Sequence, residues 1–209
     1  MTARSPAKSS WACLKTAADA RPSTRLTHST SAPLTAQPTN VHARPCTDAQ
    51  WDGVIALLNA VYAGEGYVPR EHATRSYTRE RLSAGGLVLV AHDASELLGV
   101  VVLAYPDGEL SQLAGPGEAE FRMLAVAPSG RGRGIGTMLV SACLDHASGE
   151  PFNANRLVLW TQPSMKAAQR LYERLGFERA PERDNVLPPL SEGSPPIEQL
   201  VYTRTITSG

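Results

Sequence analysis

Six consecutive residues, Arg131, Gly132, Arg133, Gly134, Ile135 and Gly136, lie between an apolar run at 123–127 and an amphipathic helical pattern at 135–147. A strand, a glycine-rich turn and a helix N-terminus in that order make a socket for a phosphate-bearing cofactor. The first N–H groups of a helix have no partner within it, and the helix dipole favours an anion there. Gly132, Gly134 and Gly136 let the backbone approach an anion without Cβ interference, Arg131 and Arg133 add positive charge, and Thr137 continues the first helical turn. Two better-known phosphate loops are excluded. A Walker A loop needs a lysine followed by Ser or Thr after its second glycine, whereas Gly136 is followed by Thr137 with no lysine nearby. The dinucleotide pattern GxGxxG fails because Leu139 stands where its third glycine belongs. What is left is RxxGxG, carried by Arg131, Gly134 and Gly136, which taken alone is also compatible with a purely structural turn.

The elements that must position this turn read as alternating strands and helices. Residues 41–46 form a first strand, and Thr47 with Gln50 makes a capping box that opens a helix. Trp51, Val54, Ile55, Leu58, Val61 and Tyr62 repeat there at helical spacing and read as core. The stretch 64–69 breaks the chain, and a more polar helix spans 71–84, stopped by Gly85 and Gly86. Two β-branched runs, 87–91 and 97–105, predict an antiparallel hairpin covered on both faces. The motif strand follows at 120–126, then the helix whose Ile135, Met138, Leu139, Ala142, Cys143 and Ala147 share one stripe. Cys143 on that stripe is a packing residue with an inert thiol. A strand at 156–162 leads to a helix opened by Pro163 and Ser164, with Ala168, Leu171, Tyr172 and Leu175 on one face and Gly176 as its stop. An alternating strand at 200–206 closes the order. The connection 181–199, which carries Pro188, Pro189, Pro195 and Pro196, is of a length that marks either function or disorder.

The segment EFRMLAVAPSGRGRGIGTMLV, residues 120–140, resembles the acetyl-CoA-binding motif of the GNAT superfamily of N-acetyltransferases. MKAAQRLYERLGF, residues 165–177, resembles its second motif, an amphipathic helix with a tyrosine that ends in Leu-Gly-Phe. The resemblance implies an α/β (α+β) domain over 41–209 with a mixed, mostly antiparallel central sheet and helices on both faces. It implies an acetyl-CoA-dependent N-acetyltransferase that moves the acetyl group directly to a primary amine in a ternary complex, without a metal. The alternative is a non-catalytic acetyl-CoA-binding regulatory module. By the same resemblance, the backbone at Leu124, Ala125 and Val126 holds the pantetheine arm, and the N–H groups from Arg131 to Thr137 hold the pyrophosphate. Tyr172 protonates the leaving thiolate, the competing reading being a core tyrosine on the apolar helix face. Glu120 is the first candidate for the base, against a solvated strand end or a water relay. Glu118, His42, His72, His92 and His146 have weaker claims because each lies in a segment that reads as turn, tail or exposed helix. Many relatives carry an asparagine seven residues before the tyrosine. Met165 stands there, and its thioether can pack against the pantetheine but cannot make the amide's hydrogen bond. The acceptor is expected between the loop 64–69, with Glu65 and Tyr67, and the connection 181–199, with Asp184, Glu192 and Glu198. Carboxylates beside an aromatic ring suit a cationic small-molecule or terminal amine.

Composition bounds the rest. A chain of 209 residues with 42% hydrophobic content fits one domain plus a tail. Residues 1–44 hold six Lys or Arg against the single Asp19, so a segment of charge +5 precedes a remainder of −5. Residues 1–40 lack a sustained apolar period and read as a disordered basic tail rich in Ser, Thr and Pro. The acidic remainder repels phosphate backbones, which argues against nucleic acid as a partner. Three cysteines without CxxC spacing indicate neither a disulfide framework nor a zinc site. No apolar run approaches the roughly 18 residues of a membrane span, and no secretory leader is evident. A cytoplasmic protein, monomeric or homodimeric and free of membranes, is the expectation.

Overall fold

The structure is a computed structural model that describes residues 41–94 and 96–207. The expected tail, 1–40, lies outside the described residues. Two central strands, β2 (Gly86–His92) and β3 (Leu97–Ala104), pair antiparallel and are apolar on both faces. Because successive side chains of a strand point to opposite sides, Leu89, Ala91, Val101 and Leu103 fall in one buried cluster and Val88, Val90, Val100 and Val102 in another. Each face therefore needs its own cover. Helices α1 (Trp51–Leu58), α2 (Arg70–Ser76) and α3 (Arg79–Gly85) supply Trp51, Val54, Leu57, Leu58, Ala73 and Leu82 to the second cluster. Helices α4 (Ile135–Ala147) and α5 (Lys166–Arg174) supply Ile135, Leu139, Val140, Cys143, Ala147 and Tyr172 to the first.

The sheet order places β1 (His42–Pro45) at one edge, then β2, β3, β4 (Glu118–Val126), β5 (Arg156–Thr161), β8 (Ile197–Thr205) and β6 (Glu178–Arg179), while β7 (Asn185–Leu187) also pairs with β8. Only β4 and β5 run parallel; the remaining pairs are antiparallel. This is the expected mixed, mostly antiparallel sheet with helices on both faces.

Two expectations are corrected. The single helix at 71–84 is two, α2 and α3, because Tyr77 turns its backbone out of helical geometry at φ −101, ψ 70 and its side chain into the core, and Thr78 caps a new helix by accepting from the Arg81 N–H at 3.3 Å. The connection 181–199 is not a structureless loop. Asn185, Val186 and Leu187 pair with Gln199, Glu198 and Ile197, so the last strand begins at Ile197 and the four prolines fall in the turn between β7 and β8. Asp184 anchors this turn by accepting from Arg179 at 2.9 and 2.6 Å and from the Val201 N–H at 2.8 Å.

Candidate active site

The site begins where the sheet opens. Strands β4 and β5 pair only at Glu118, Ala119 and Glu120 with Arg156, Leu157 and Val158. Beyond that point they diverge, and β4 carries a bulge with Met123 at φ 57, where one extra residue sits opposite β3. The Ala127 N–H donates to the Leu98 carbonyl at 2.9 Å, on the β3 side. By strand alternation the backbone groups of Val126 and Leu124 face the other way, toward the opened edge. The Leu124 carbonyl confirms this direction by accepting from the Tyr62 hydroxyl at 3.2 Å. A strand edge that no neighbouring strand covers is what an extended ligand arm can pair with.

The edge leads into a cleft of about 540 Å³ whose wall includes Leu124, Val126, Arg131, Gly132, Gly134, Ile135, Gly136 and Thr137. Gly132 at φ 74 and Gly134 at φ 78 take the left-handed conformation, and Gly134 is the N-cap of α4. Gly136 is required for a different reason: a Cβ there would come within 2.9 Å of the Leu171 side chain of α5. Ala125 lies behind the cleft, buried against α1 and its neighbours, and contributes through backbone pairing with Val100. Arg131 is half exposed at the mouth and pairs with Glu65, whereas Arg133 turns back to Asp93 at 3.4 Å and to the Ser129 carbonyl. Glu65 and Tyr67, the residues expected at the acceptor, thus stand in the cleft with the glycine turn. Their placement there follows from the run Asn59–Ala63, which extends α1 as a wide helical turn and delivers 64–69 to the top of the cleft.

On the other side of the opening lies a partly open cavity of about 220 Å³. Tyr62, Leu124, Met165 and Ala168 border both spaces, so cleft and cavity meet at these side chains. Tyr172 lines the cavity, its ring packed among Phe121, Phe177 and Tyr202, and burial pushes its phenol well above the usual value, so the proton is held. Cys143, buried in the same core, has its thiol pushed up by burial as well. The connection 181–199 contributes Leu187, Leu190 and, with the first residue of β8, Ile197 to the wall, all apolar.

Glu120, the first candidate for the base, lies off the cavity wall. Its side chain is fully buried, and its Oε2 accepts from the N–H groups of Gln112 at 2.6 Å and Leu113 at 2.7 Å. Burial raises its carboxyl pKa, against the opposing pull of Arg122 and those N–H groups. The cavity is instead lined by His72, Ser76 and Arg81 from α2 and α3 and by Arg122 from β4. His72 Nε2 lies 3.1 Å from the Ser76 hydroxyl, and burial together with Arg75, Arg81 and Arg122 holds the imidazole below its ordinary pKa. The sequence ranked His72 low because its helix reads as exposed; the break at Tyr77 tilts that reading, since α2 alone presents Ala73 and Ser76 to the interior. Arg122 did carry a signal. A cation in the middle of the apolar run FRMLAV is rarely buried without a partner. Its guanidinium stacks over Trp160 at 5.6 Å, donates to the Leu110 carbonyl at 3.1 Å and approaches Glu120 at 3.7 Å.

The sequence model of the acetyltransferase (GNAT) family matches residues 51–177, which include β4, the glycine turn, α4 and α5. The chain belongs to the acetyltransferase (GNAT) family. Among its GNAT-fold likenesses, the YncA protein of Salmonella typhimurium, solved with its cofactor acetyl-CoA, superposes with a TM-score of 0.57 over 81% of this chain and 96% of that one at 18% identity. A GNAT acetyltransferase of Staphylococcus aureus gives 0.60 over 80% and 99% at 16% identity. In sequence, the mycothiol acetyltransferase of Clavibacter sepedonicus is 32% identical over 146 residues, 69% of this chain and 42% of the relative. That of Acidothermus cellulolyticus is 40% identical over 89 residues, 39% of this chain and 25% of the relative. The chain spans less than half the length of these relatives. No described helix is long and apolar enough to cross a membrane, and no group of three or more potential metal ligands occurs among the described residues.

Proposed function

We propose that this GNAT domain transfers an acetyl group from acetyl-CoA to the amine of a small molecule held in the cavity behind β4. The observation that carries this reading is the meeting of two spaces at Tyr62, Leu124, Met165 and Ala168, one bordered by the glycine turn and one that sets His72, Ser76, Arg81 and Arg122 among apolar side chains. When bound, acetyl-CoA supplies the acetyl thioester, whose C–S bond breaks as an N–C bond forms to the amine. The chain's own groups do the remaining work. N–H groups from Arg131 to Thr137 and the edge of β4 at Leu124 and Val126, which β5 leaves uncovered, bind and orient the donor; Met165 packs beside it. Tyr172 holds a proton at its hydroxyl for the departing sulfur. His72, neutral and set by Ser76, takes the proton of the attacking amine. It replaces Glu120 in that role, because the carboxylate of Glu120 is turned to the 112–113 backbone and Arg122. Glu65 and Tyr67 then border the donor. No observation favours a non-catalytic module, since the cavity has no use in donor binding alone. We place the protein in a reducing compartment, the cytoplasm, where the free thiols Cys46 and Cys143 persist.

The test is thiol release from acetyl-CoA with a panel of small amines, for the wild type and Tyr172→Phe. The wild type turns over at least one amine class, and the variant loses about tenfold to a thousandfold in kcat with acetyl-CoA affinity unchanged. A protein that binds acetyl-CoA and acetylates no amine overturns the reading.

A further inference from the structure

We propose that the acceptor carries a carboxylate or another compact anionic group beside its amine, and that Arg81 and Arg122 bind it. The inference rests on the acetyltransferase reading above and concerns the cavity behind β4. Every charged or titratable side chain on its wall other than the tyrosines is basic: His72, Arg81 and Arg122. No Asp or Glu lines it. A plain protonated amine entering this space meets like charge, which repels it at close range. An acceptor that brings its own anion avoids that repulsion and converts it to attraction. Glu120 offsets part of the Arg122 charge from behind at 3.7 Å, but its other oxygen is taken by the Gln112 and Leu113 N–H groups. Arg81 makes no ion pair among the described residues.

The hydrogen-bonding inventory points the same way. Arg81 and Arg122 are donors only, in the fork geometry that suits a carboxylate. Among the described residues, the hydroxyl of Thr161, a residue 2% exposed on the cavity wall, has no partner, and neither has the buried indole N–H of Trp160 under Arg122; the other such atom, Glu120 Oε1, is an acceptor beside Arg122 and off the cavity wall. A buried donor left unpaired is destabilising, and a ligand acceptor oxygen offsets that cost. Arg122 stays in place for this task because the Trp160 ring and the Leu110 carbonyl fix its plane. The same cationic surroundings favour the neutral, nucleophilic form of the amine.

The experiment compares matched acceptors that differ only in the acid: amino acids against the amines obtained by removing the carboxylate, and against their amides, with thiol release as the readout. Acids are preferred by at least ~100-fold in kcat/KM. Arg81→Gln, an exposed position that leaves the core intact, lowers this preference about tenfold or more through KM for the acid, with acetyl-CoA affinity unchanged by calorimetry. Arg122→Lys, which keeps the charge and loses the fork, lowers it as well. Equal or faster turnover of the decarboxylated amines overturns the assignment of the acceptor class while the acetyltransferase reading stands. An unchanged preference in both variants also overturns it, and an absence of turnover with both sets removes the acetyltransferase reading itself.

Discussion

At the scale of single residues, the site separates two carboxylates and an imidazole by what surrounds them. The Glu120 carboxyl is raised by burial yet faces backbone donors, Glu118 is held between Arg183 and Arg156, and of the three only His72, the proposed base, lines the cavity. The pH dependence follows with a definite sign. A base held below the ordinary imidazole value of about 6.5 stays unprotonated at neutral pH, so kcat/KM falls only as pH drops through that lowered pKa. His72→Gln is expected to remove this acid limb and to lower the plateau by about 100-fold or more, while Glu120→Gln keeps the limb. Rate profiles from pH 5 to 9 on the three proteins check this; a limb that persists in His72→Gln, or that vanishes only in Glu120→Gln, returns the role to the carboxylate.

At the scale of elements, the strand β4, the glycine turn and α4 act as one unit, and their sequence states nearly all of it. The turn needs Gly134 at positive φ and open space beside it, whereas Gly136 needs the absence of a side chain because α5 packs there. These different requirements make a test. Gly134→Asn, which tolerates the left-handed conformation, should keep most acetyl-CoA affinity, and Gly134→Asp should lose ~100-fold or more because its carboxylate opposes the phosphates. Calorimetric titration distinguishes the two, with near-ultraviolet circular dichroism to report folding. Equal affinities for Asn and Asp would take the phosphates away from this turn. The breaks at Tyr77 and the β7 pairing were not legible. A run of polar helix formers reads as one helix until the interior claims a tyrosine, and a proline-rich connection reads as a loop until a neighbouring strand offers it a ladder.

At the scale of the whole molecule, the proposed transfer requires that the two spaces meet at Tyr62, Leu124, Met165 and Ala168. Ala168, which borders both, is small enough to leave the junction open. Ala168→Phe should lower kcat by more than ~10-fold while changing acetyl-CoA affinity far less, since misplacement of reacting groups by about an ångström costs as much as 100-fold. Steady-state rates with calorimetric binding check it, and an unchanged kcat would show that transfer does not pass this point. The sequence by itself determined the anion socket, the alternation of elements, the two-sided sheet and the tyrosine of α5, because each is local: a spacing, a period or a glycine where the backbone needs one. It could not determine which charges share the cavity. His72, Arg81, Arg122 and Thr161 come from four different elements, α2, α3, β4 and β5, and only the parting of β4 from β5 and the burial that follows bring them together. The same burial turned Glu120 toward the 112–113 backbone, for a carboxylate is committed by the nearest donor in space, and sequence spacing does not record that distance.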